Sequence, residues 1–554
     1  MEQARFLLAI ALSFLVLFVW QNYFLEKPAI PPADEAEKLV SSELLNDKIN
    51  TETKQQQTIA EKNLTEDLEK ISLPEVPAKK ILVQTPLFEI EFSERGAAIQ
   101  NLKLTNYFET IDKNSPLKSI IKLDNALGTG LTSFHNNVIP NLDKVVFKAE
   151  TQQTIIQVET TQKVSFSYVS KQGIKITKAY IIDPASYIIG LSVLIDNPTT
   201  FPISDQIKVV SRRQVPEEID GYFFEGPAIL LNSNLEEIAV DSLEKQNTYS
   251  GNISWTAIED RYFTSALLPI DYKDNLQVKI KVQDKIIDMA LKLPPVNIEP
   301  QTQKVLNFDL FFGPKSLELL NSLDNNLNEI INFGWFDILA RPCLYLMNLI
   351  YKAIPNYGIA IILLTILIKI PLWPLGNKSY KSMNEMRKLQ PMMKRLQEKY
   401  KDDRTRMNQE LMALYKTYKV NPLGGCLPMV LQIPVFIALY RMLYQAIELR
   451  HAPFFLWIND LSAPDRLFNF NIYVPLMEEP YGIPVLTIIM GATMLIQQKM
   501  SPPPGDPSQA KMMMFLPIVF TVIFINFPAG LVLYWLVNNV ASILQQYYIN
   551  KKNA

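Results

Sequence analysis

The spacing of apolar residues changes character several times along this chain. Phe6 to Trp20 is an almost unbroken hydrophobic run, with Arg5 before it and Glu26, Lys27 and Pro28 after it. A cleaved leader is one reading of such a run. Gln21 to Leu25 offers no small-x-small cleavage site, so residues 1–25 are expected to remain as an anchoring helix. Residues 26–80 are rich in Glu, Lys, Gln and Pro and almost free of aromatics, a composition that leaves nothing with which to bury a core and predicts a flexible tether. From 81 to 325 the period becomes two. Stretches such as "VSFSYVS", "IKITKAYII" and "YIIGLSVLIDN" alternate or cluster β-branched and aromatic residues between turn signals such as Lys171-Gln172-Gly173. Short strands at this spacing predict an antiparallel sandwich.

Beyond it the period becomes helical. Phe333 to Tyr351 mixes Trp, Phe, Leu and Met with Asp337, Arg341 and Asn348. Its charges and Pro342 argue against a span, so residues 326–352 are expected to hold an amphipathic helix in the membrane interface; a helix packed on the β domain is the alternative. A bilayer core of about 30 Å needs about 20 apolar helical residues. Tyr357 to Gly376, Leu427 to about Ile447, Tyr481 to Gln497, and a pair within Met512 to Gln545 broken at "NFPAG" have that character. The arms of the last pair, at about 15 residues or roughly 22 Å, would imply local thinning of the bilayer. Between the first two of these spans, Met386, Leu389, Met393, Leu396 and Tyr400 step by three and four, as do Met407, Leu411, Leu414 and Tyr418. With Asp402-Asp403 as turn and cap, residues 377–421 predict an antiparallel helical hairpin.

Composition alone would mislead. Hydrophobic residues make up 48%, and Lys+Arg 54 against Asp+Glu 56 looks like an ordinary multidomain soluble chain. Charge distribution is more informative than its total. The hairpin carries Arg387, Lys394, Arg395, Arg404, Arg406 and further cations that outnumber Glu385, Glu398, Asp402, Asp403 and Glu410, so the positive-inside rule makes it cytoplasmic. Counting spans both ways then puts both termini inside and the β domain outside. The basic hairpin is either a surface that merely stays wet or one that docks a partner; Met386 and Met393, adaptable side chains, favour docking together with those cations. Two cysteines, Cys343 and Cys426, and two histidines, His135 and His451, with no H-E-x-x-H, C-x-x-C, Walker A or G-x-S-x-G pattern, give no starting point for metal, cofactor or nucleophile chemistry. A Cys343–Cys426 disulfide is not expected, since the topology sets them near opposite membrane faces.

One charge sits where oil is expected. In "LLTILIKIPLWPL", Leu363 to Leu375, Lys369 lies about 10 Å inside its span. A lysine can snorkel to the headgroups. Yet Gln432 lies about 9 Å in from Cys426, and Asn538 and Asn539 about 10 Å in from Gln545, so several helices bring polar groups to one level. Thr365 and Tyr534 lie about a turn deeper. Polar groups at that depth face one another or water, and Pro371 and Pro374 free two further carbonyls, so a wet groove in the cytoplasmic half is expected. No Asp or Glu lies in these spans, and the cation is expected to attract an acidic or polar chain from outside. Arg441, about 21 Å into its span, has outward snorkelling as its only account. A transporter or channel would want polar layers in both leaflets; an intramembrane protease would want embedded Asp pairs or a His cluster.

The segments "MALYKTYKVNPLGGCLPMVLQIPVFIALY", "ELRHAPFFLWINDLSAPD", "GATMLIQQKMSPPPGDP" and "FPAGLVLYWLVNNVASILQQ" resemble the YidC/Oxa/Alb family of membrane protein insertases. The resemblance covers the region from about Phe333 onward. It implies a polytopic α-helical membrane protein with an anchor helix, a five-helix core over residues 353–554 and a large periplasmic all-β domain, in the bacterial inner membrane. It also implies a non-enzymatic insertase and chaperone without cofactor or nucleic-acid recognition. Its substrates would be nascent and small membrane proteins, with the Sec translocon, the ribosome or targeting factors and the lipid bilayer as partners. Lys369 would occupy the basic groove position where most relatives carry Arg, and Thr365, Gln432, Tyr534 and Trp535 would line the substrate path. Lysine offers no planar fork, so bidentate capture of a carboxylate gives way to simple charge attraction.

Overall fold

Alternation of buried and exposed positions builds the β region. In Ile188–Asn197, Ile189, Leu191, Val193 and Ile195 are buried while the residues between them are partly exposed, as a strand with one core face requires. The computed structural model describes residues 78–554, except 125, 137, 216–222, 324, 402, 419, 421–426, 502–506 and 554. The expected anchor helix and the tether through residue 77 lie outside the described residues.

The described strands form three sheets. The largest is nine-stranded and antiparallel, with Thr302–Pro314 between Ile188–Asn197 and Phe263–Pro269. Two five-stranded sheets complete the region, and one of them pairs Lys80–Gln84 in parallel with Ile155–Gln157. A simple antiparallel sandwich is therefore too plain a description. Register shifts at Glu91/Phe92 and Gln206/Lys208 mark bulges, which add local twist, and the sheets share one core containing Phe92, Phe166, Tyr180, Val209 and Leu291.

After a short helix at Leu317–Asn321, seven longer helices follow among the described residues, labelled α1 (Asp337–Ala353), α2 (Tyr357–Lys399), α3 (Arg404–Thr417), α4 (Leu427–Gln445), α5 (Val485–Met500), α6 (Pro507–Ile523) and α7 (Ala529–Asn553). In α1, Ala340, Leu344 and Met347 are buried at helical spacing, whereas Ile338 and Tyr345 are 81% and 68% exposed. It is apolar on both sides, one of them without a protein partner among the described residues.

Helix α2 begins at Asn356, whose side chain accepts from the Ile359 amide at 3.0 Å, and by length and composition it can cross a membrane. It does not stop at Gly376. All 43 residues are helical through Pro371, Pro374 and Pro391, so the stretch expected to span and the first hairpin arm form one continuous helix of about 64 Å. The second arm, α3, is capped by Asp403, which accepts from the Arg406 amide at 2.9 Å. The seam of the hairpin is Leu389, Met393 and Val420. The last pair is also unequal: α6 has 17 residues, but α7 has 25 and runs past Gln545, so short arms do not describe it.

Sheet and helices share a second core. Trp255, Leu268 and Phe311 from the nine-stranded sheet join Leu344, Met347, Leu439 and Leu533 from the helices. Arg441 lies at this joint and donates from Nη1 to the Phe333 carbonyl at 3.2 Å. Its side chain therefore ends on protein backbone at the entrance to α1.

Candidate functional site

The lysine in α2 is met by α7. Lys369 Nζ donates to the Asn538 carbonyl at 2.9 Å, to Asn538 Oδ1 at 2.8 Å and to the Ser542 hydroxyl. An ammonium has three donors and no acceptor, so these three oxygens match its capacity. All are neutral. The charge is solvated without being cancelled, and among the described residues Lys369 has no carboxylate partner.

Helix α4 joins through Gln432, whose Nε2 donates to Asn538 Oδ1 at 2.8 Å and whose side chain also hydrogen-bonds Tyr534. Lys369, Gln432, Tyr534 and Asn538 thus form one connected network across three helices. Ser542 belongs to it and was not among the expected residues, although i,i+4 spacing puts it on the face of Asn538. One turn further, Gln545 Nε2 donates to the Trp373 carbonyl and to Asn377 Oδ1, each at 2.9 Å. This closes α2 on α7 at Gly376, where a Cβ would stand 2.8 Å from Gln545 Nε2.

Other expected residues sit elsewhere. Thr365 is buried and donates to the Ile361 carbonyl of its own helix at 2.6 Å. Asn539 turns to α5 and donates to Thr493 Oγ1 at 3.3 Å. Trp535 packs edge-on against Phe436, ring centroids 4.5 Å apart, and against Phe524 at 5.0 Å. In the hairpin, Met393 is buried and accepts from the Tyr415 hydroxyl at 3.8 Å, and Met386 packs against the same seam. Arg387, Lys394, Arg395 and Arg406 are exposed. Arg404 opens α3; its side chain lies outside the described set, as does Cys426. Cys343 is a free thiol. Among the described residues no cluster of His, Cys, Asp and Glu is placed to hold a metal.

The arrangement can hold a fixed, uncancelled positive charge between three helices and offer its attraction to a polar chain. Residues 80–346 match the family model described as YidC periplasmic domain, and residues 349–554 match that described as 60Kd inner membrane protein. A protein of Syntrophus aciditrophicus (strain SB) named membrane protein insertase YidC is 42% identical over 479 residues, covering 86% of this chain and 85% of its own. A protein of the same name from Syntrophobacter fumaroxidans is 37% identical over 562 residues, covering 99% of this chain and 100% of its own. A solved structure described as an active YidC insertase with the first transmembrane domain resolved aligns over 85% of this chain and 92% of its own, at 19% identity and a TM-score of 0.37.

Proposed function

The chain belongs to the YidC family of membrane protein insertases, a non-enzymatic family of the inner membrane with a mostly β-sheet periplasmic domain, and from this premise we propose how it moves a substrate. Helices α2, α4, α5, α6 and α7 span the membrane, the α2–α3 hairpin and both termini are cytoplasmic, and α1 lies in the outer interface. The polar tail of a substrate enters the cytoplasmic half of the core at Lys369, Gln432, Asn538 and Ser542. Its hydrophobic segment meanwhile slides past Tyr534 and Trp535 into lipid. Burial of about 20 apolar residues drives the step, and the membrane potential assists an acidic tail. The exposed cations of the hairpin receive the ribosome or a targeting factor, and the insertase acts alone or beside the Sec translocon.

The observation that carries this reading is the ammonium of Lys369 held by neutral oxygens alone, because a charge that is hydrogen-bonded but uncancelled at that depth still attracts an anion. Reconstitution in vesicles with a small single-span substrate tests it. Insertion should proceed without ATP, survive Lys369→Arg and fail with Lys369→Glu for acidic-tailed substrates. Equal activity of the glutamate variant would overturn the charge mechanism, and solute flux would favour a channel.

A further inference from the structure

The segment joining α4 to α5 holds large apolar side chains out of the protein. Phe468 is 73% exposed, Ile472 69%, Tyr473 72% and Leu476 75%. Loops normally place such residues inward or replace them with polar ones.

This segment is nevertheless well tied. Leu467 and Ile483 exchange backbone hydrogen bonds of 2.9 and 2.8 Å, and the Phe470 amide donates to the Tyr481 carbonyl at 2.9 Å. Arg466 donates from Nε to the Pro480 carbonyl at 2.8 Å and from Nη1 to the carbonyls of Asp465 and Ile525 at 2.9 and 2.8 Å. Asn526 donates to the Leu476 carbonyl at 3.0 Å and accepts from the Glu478 amide at 3.0 Å. Phe468 and Leu476 are held at φ of 56° and 67°, left-handed backbone that a bulky side chain adopts at a cost. A bonded frame thus presents the apolar side chains.

Position identifies what covers them. Ile525 and Asn526 form the turn between α6 and α7, and α6 carries an apolar exposed stripe that includes Phe515 at 64%, Ile518 at 51% and Val522 at 38%. On α5, Ile488 continues it at 52%. The apolar side chains of the loop are bonded onto the end of a surface that faces lipid in an inner-membrane protein. Aromatic and aliphatic side chains at such a level partition into the boundary between headgroups and acyl chains. The exposed carboxylates of Glu478 and Glu479 beside them favour a zwitterionic surface over an anionic one.

We infer that Leu467–Ile483 is a lipid anchor, a rigid loop whose apolar side chains enter the periplasmic leaflet of the bilayer and fix the outer ends of α4 to α7 at a set depth. The inference rests on the reading that these helices span. In the full chain carrying Cys343→Ala and Cys426→Ser, single nitroxide labels at Phe468→Cys, Leu476→Cys, Glu479→Cys and Ile518→Cys are compared in phosphatidylcholine vesicles for access to oxygen and to a water-soluble nickel chelate. Labels at 468 and 476 should favour oxygen several-fold more than the label at 479, and less than the label at 518. Nickel access at 468 and 476 with oxygen access at 518 would overturn the anchor and leave the spans intact. Exclusion of both reagents at 468 and 476 would mean that protein covers the loop, which also overturns it. Nickel access at 518 would remove the spanning reading and the anchor together.

Discussion

Lys369 and Gln432, on different helices, converge on one acceptor: Oδ1 of Asn538 lies 2.8 Å from Nζ of the lysine and 2.8 Å from Nε2 of the glutamine. The amide oxygen therefore ties α2 and α4 to α7 while leaving the positive charge uncancelled. Asn538→Asp keeps the shape and supplies an internal counter-ion. Insertion of acidic-tailed substrates should fall by about tenfold, the equivalent of about 1.4 kcal/mol of lost attraction, while neutral-tailed substrates lose less. Asn538→Leu removes the side-chain acceptor and should lower insertion of both classes and the thermal stability of the helical region. Parallel insertion assays on the two substrate classes separate these outcomes, and an aspartate variant that spares acidic tails would contradict the role assigned to the charge.

Lys178 is a second buried ammonium, in the periplasmic domain. It is fully buried and donates to the carbonyls of Gly96 at 2.8 Å, Ala97 at 2.8 Å and Gly130 at 2.6 Å, holding together backbone at positive φ. Burial pushes its pKa down from 10.5 to about 7. Between those values the unfolded chain carries a proton that the folded chain has released, so this residue makes stability rise with pH across that window and leaves it flat below. Urea unfolding of the periplasmic domain within the full chain, followed by limited proteolysis at about pH 6, 8 and 10, should show the rise. Lys178→Met should abolish it and cost about 3 kcal/mol, since the Gly96 and Gly130 carbonyls lose their donor whereas Ala97 keeps the Tyr180 hydroxyl at 2.7 Å.

How far these features are legible before the structure depends on what each pattern encodes. The rise per residue of a helix is fixed, so depth could be counted, and it brought Lys369, Gln432 and Asn538 to one level. Depth does not fix azimuth. Asn539 is at the same level as Asn538 but about 100° around the helix, and it faces α5, while Ser542 is a turn away on the right face. The three- and four-residue stripe through Met386 and Met393 marks a buried seam, and the chemistry of methionine suggested an outer surface instead. In the β region the alternation of single strands was readable. The partition into three sheets was not, because it rests on pairings as distant as Ile188–Asn197 with Thr302–Pro314.

The buried pair Lys315–Glu259 joins the last strand to the sheet interior at 2.8 Å, with side chains 8% and 2% exposed. Burial pushes the Glu259 pKa up from 4.5 to about 7 against the opposing pull of Lys315. The folded state then holds a proton that the unfolded state has lost, and stability from Glu259 falls as pH rises through that window. Lys315→Met leaves the acid without its counter-ion and should cost about 3–5 kcal/mol at neutral pH, with the fall extending to higher pH. Glu259→Gln in the same chain should recover most of the loss, because a neutral amide carries a smaller burial penalty. Thermal unfolding of the two variants and the double variant at about pH 5 and 8 reads both effects. A double variant no better than Lys315→Met alone would show that the lysine acts through packing.

Arg441 closes the joint between the periplasmic domain and α1, and it does so over a glycine. Gly334 has φ of +63°, and a Cβ there would stand 2.8 Å from Arg441 Nη1, the atom that donates to the Phe333 carbonyl. Nearby, Arg341 fixes the same turn by donating to the Ile331 carbonyl at 2.8 Å. Gly334→Ala imposes both left-handed strain and displacement of the guanidinium, and should destabilise the joint by about 1–2 kcal/mol. Arg441→Met removes the hydrogen bond but keeps most of the apolar stem, so its cost should be nearer 1 kcal/mol. Combining the two should cost less than their sum, since the methionine yields to the new methyl group where the guanidinium does not. Protease cleavage between residues 331 and 337 in the full chain measures the opening of this turn. Strict additivity would mean that the glycine is needed for its backbone conformation alone, and that Arg441 only happens to lie above it.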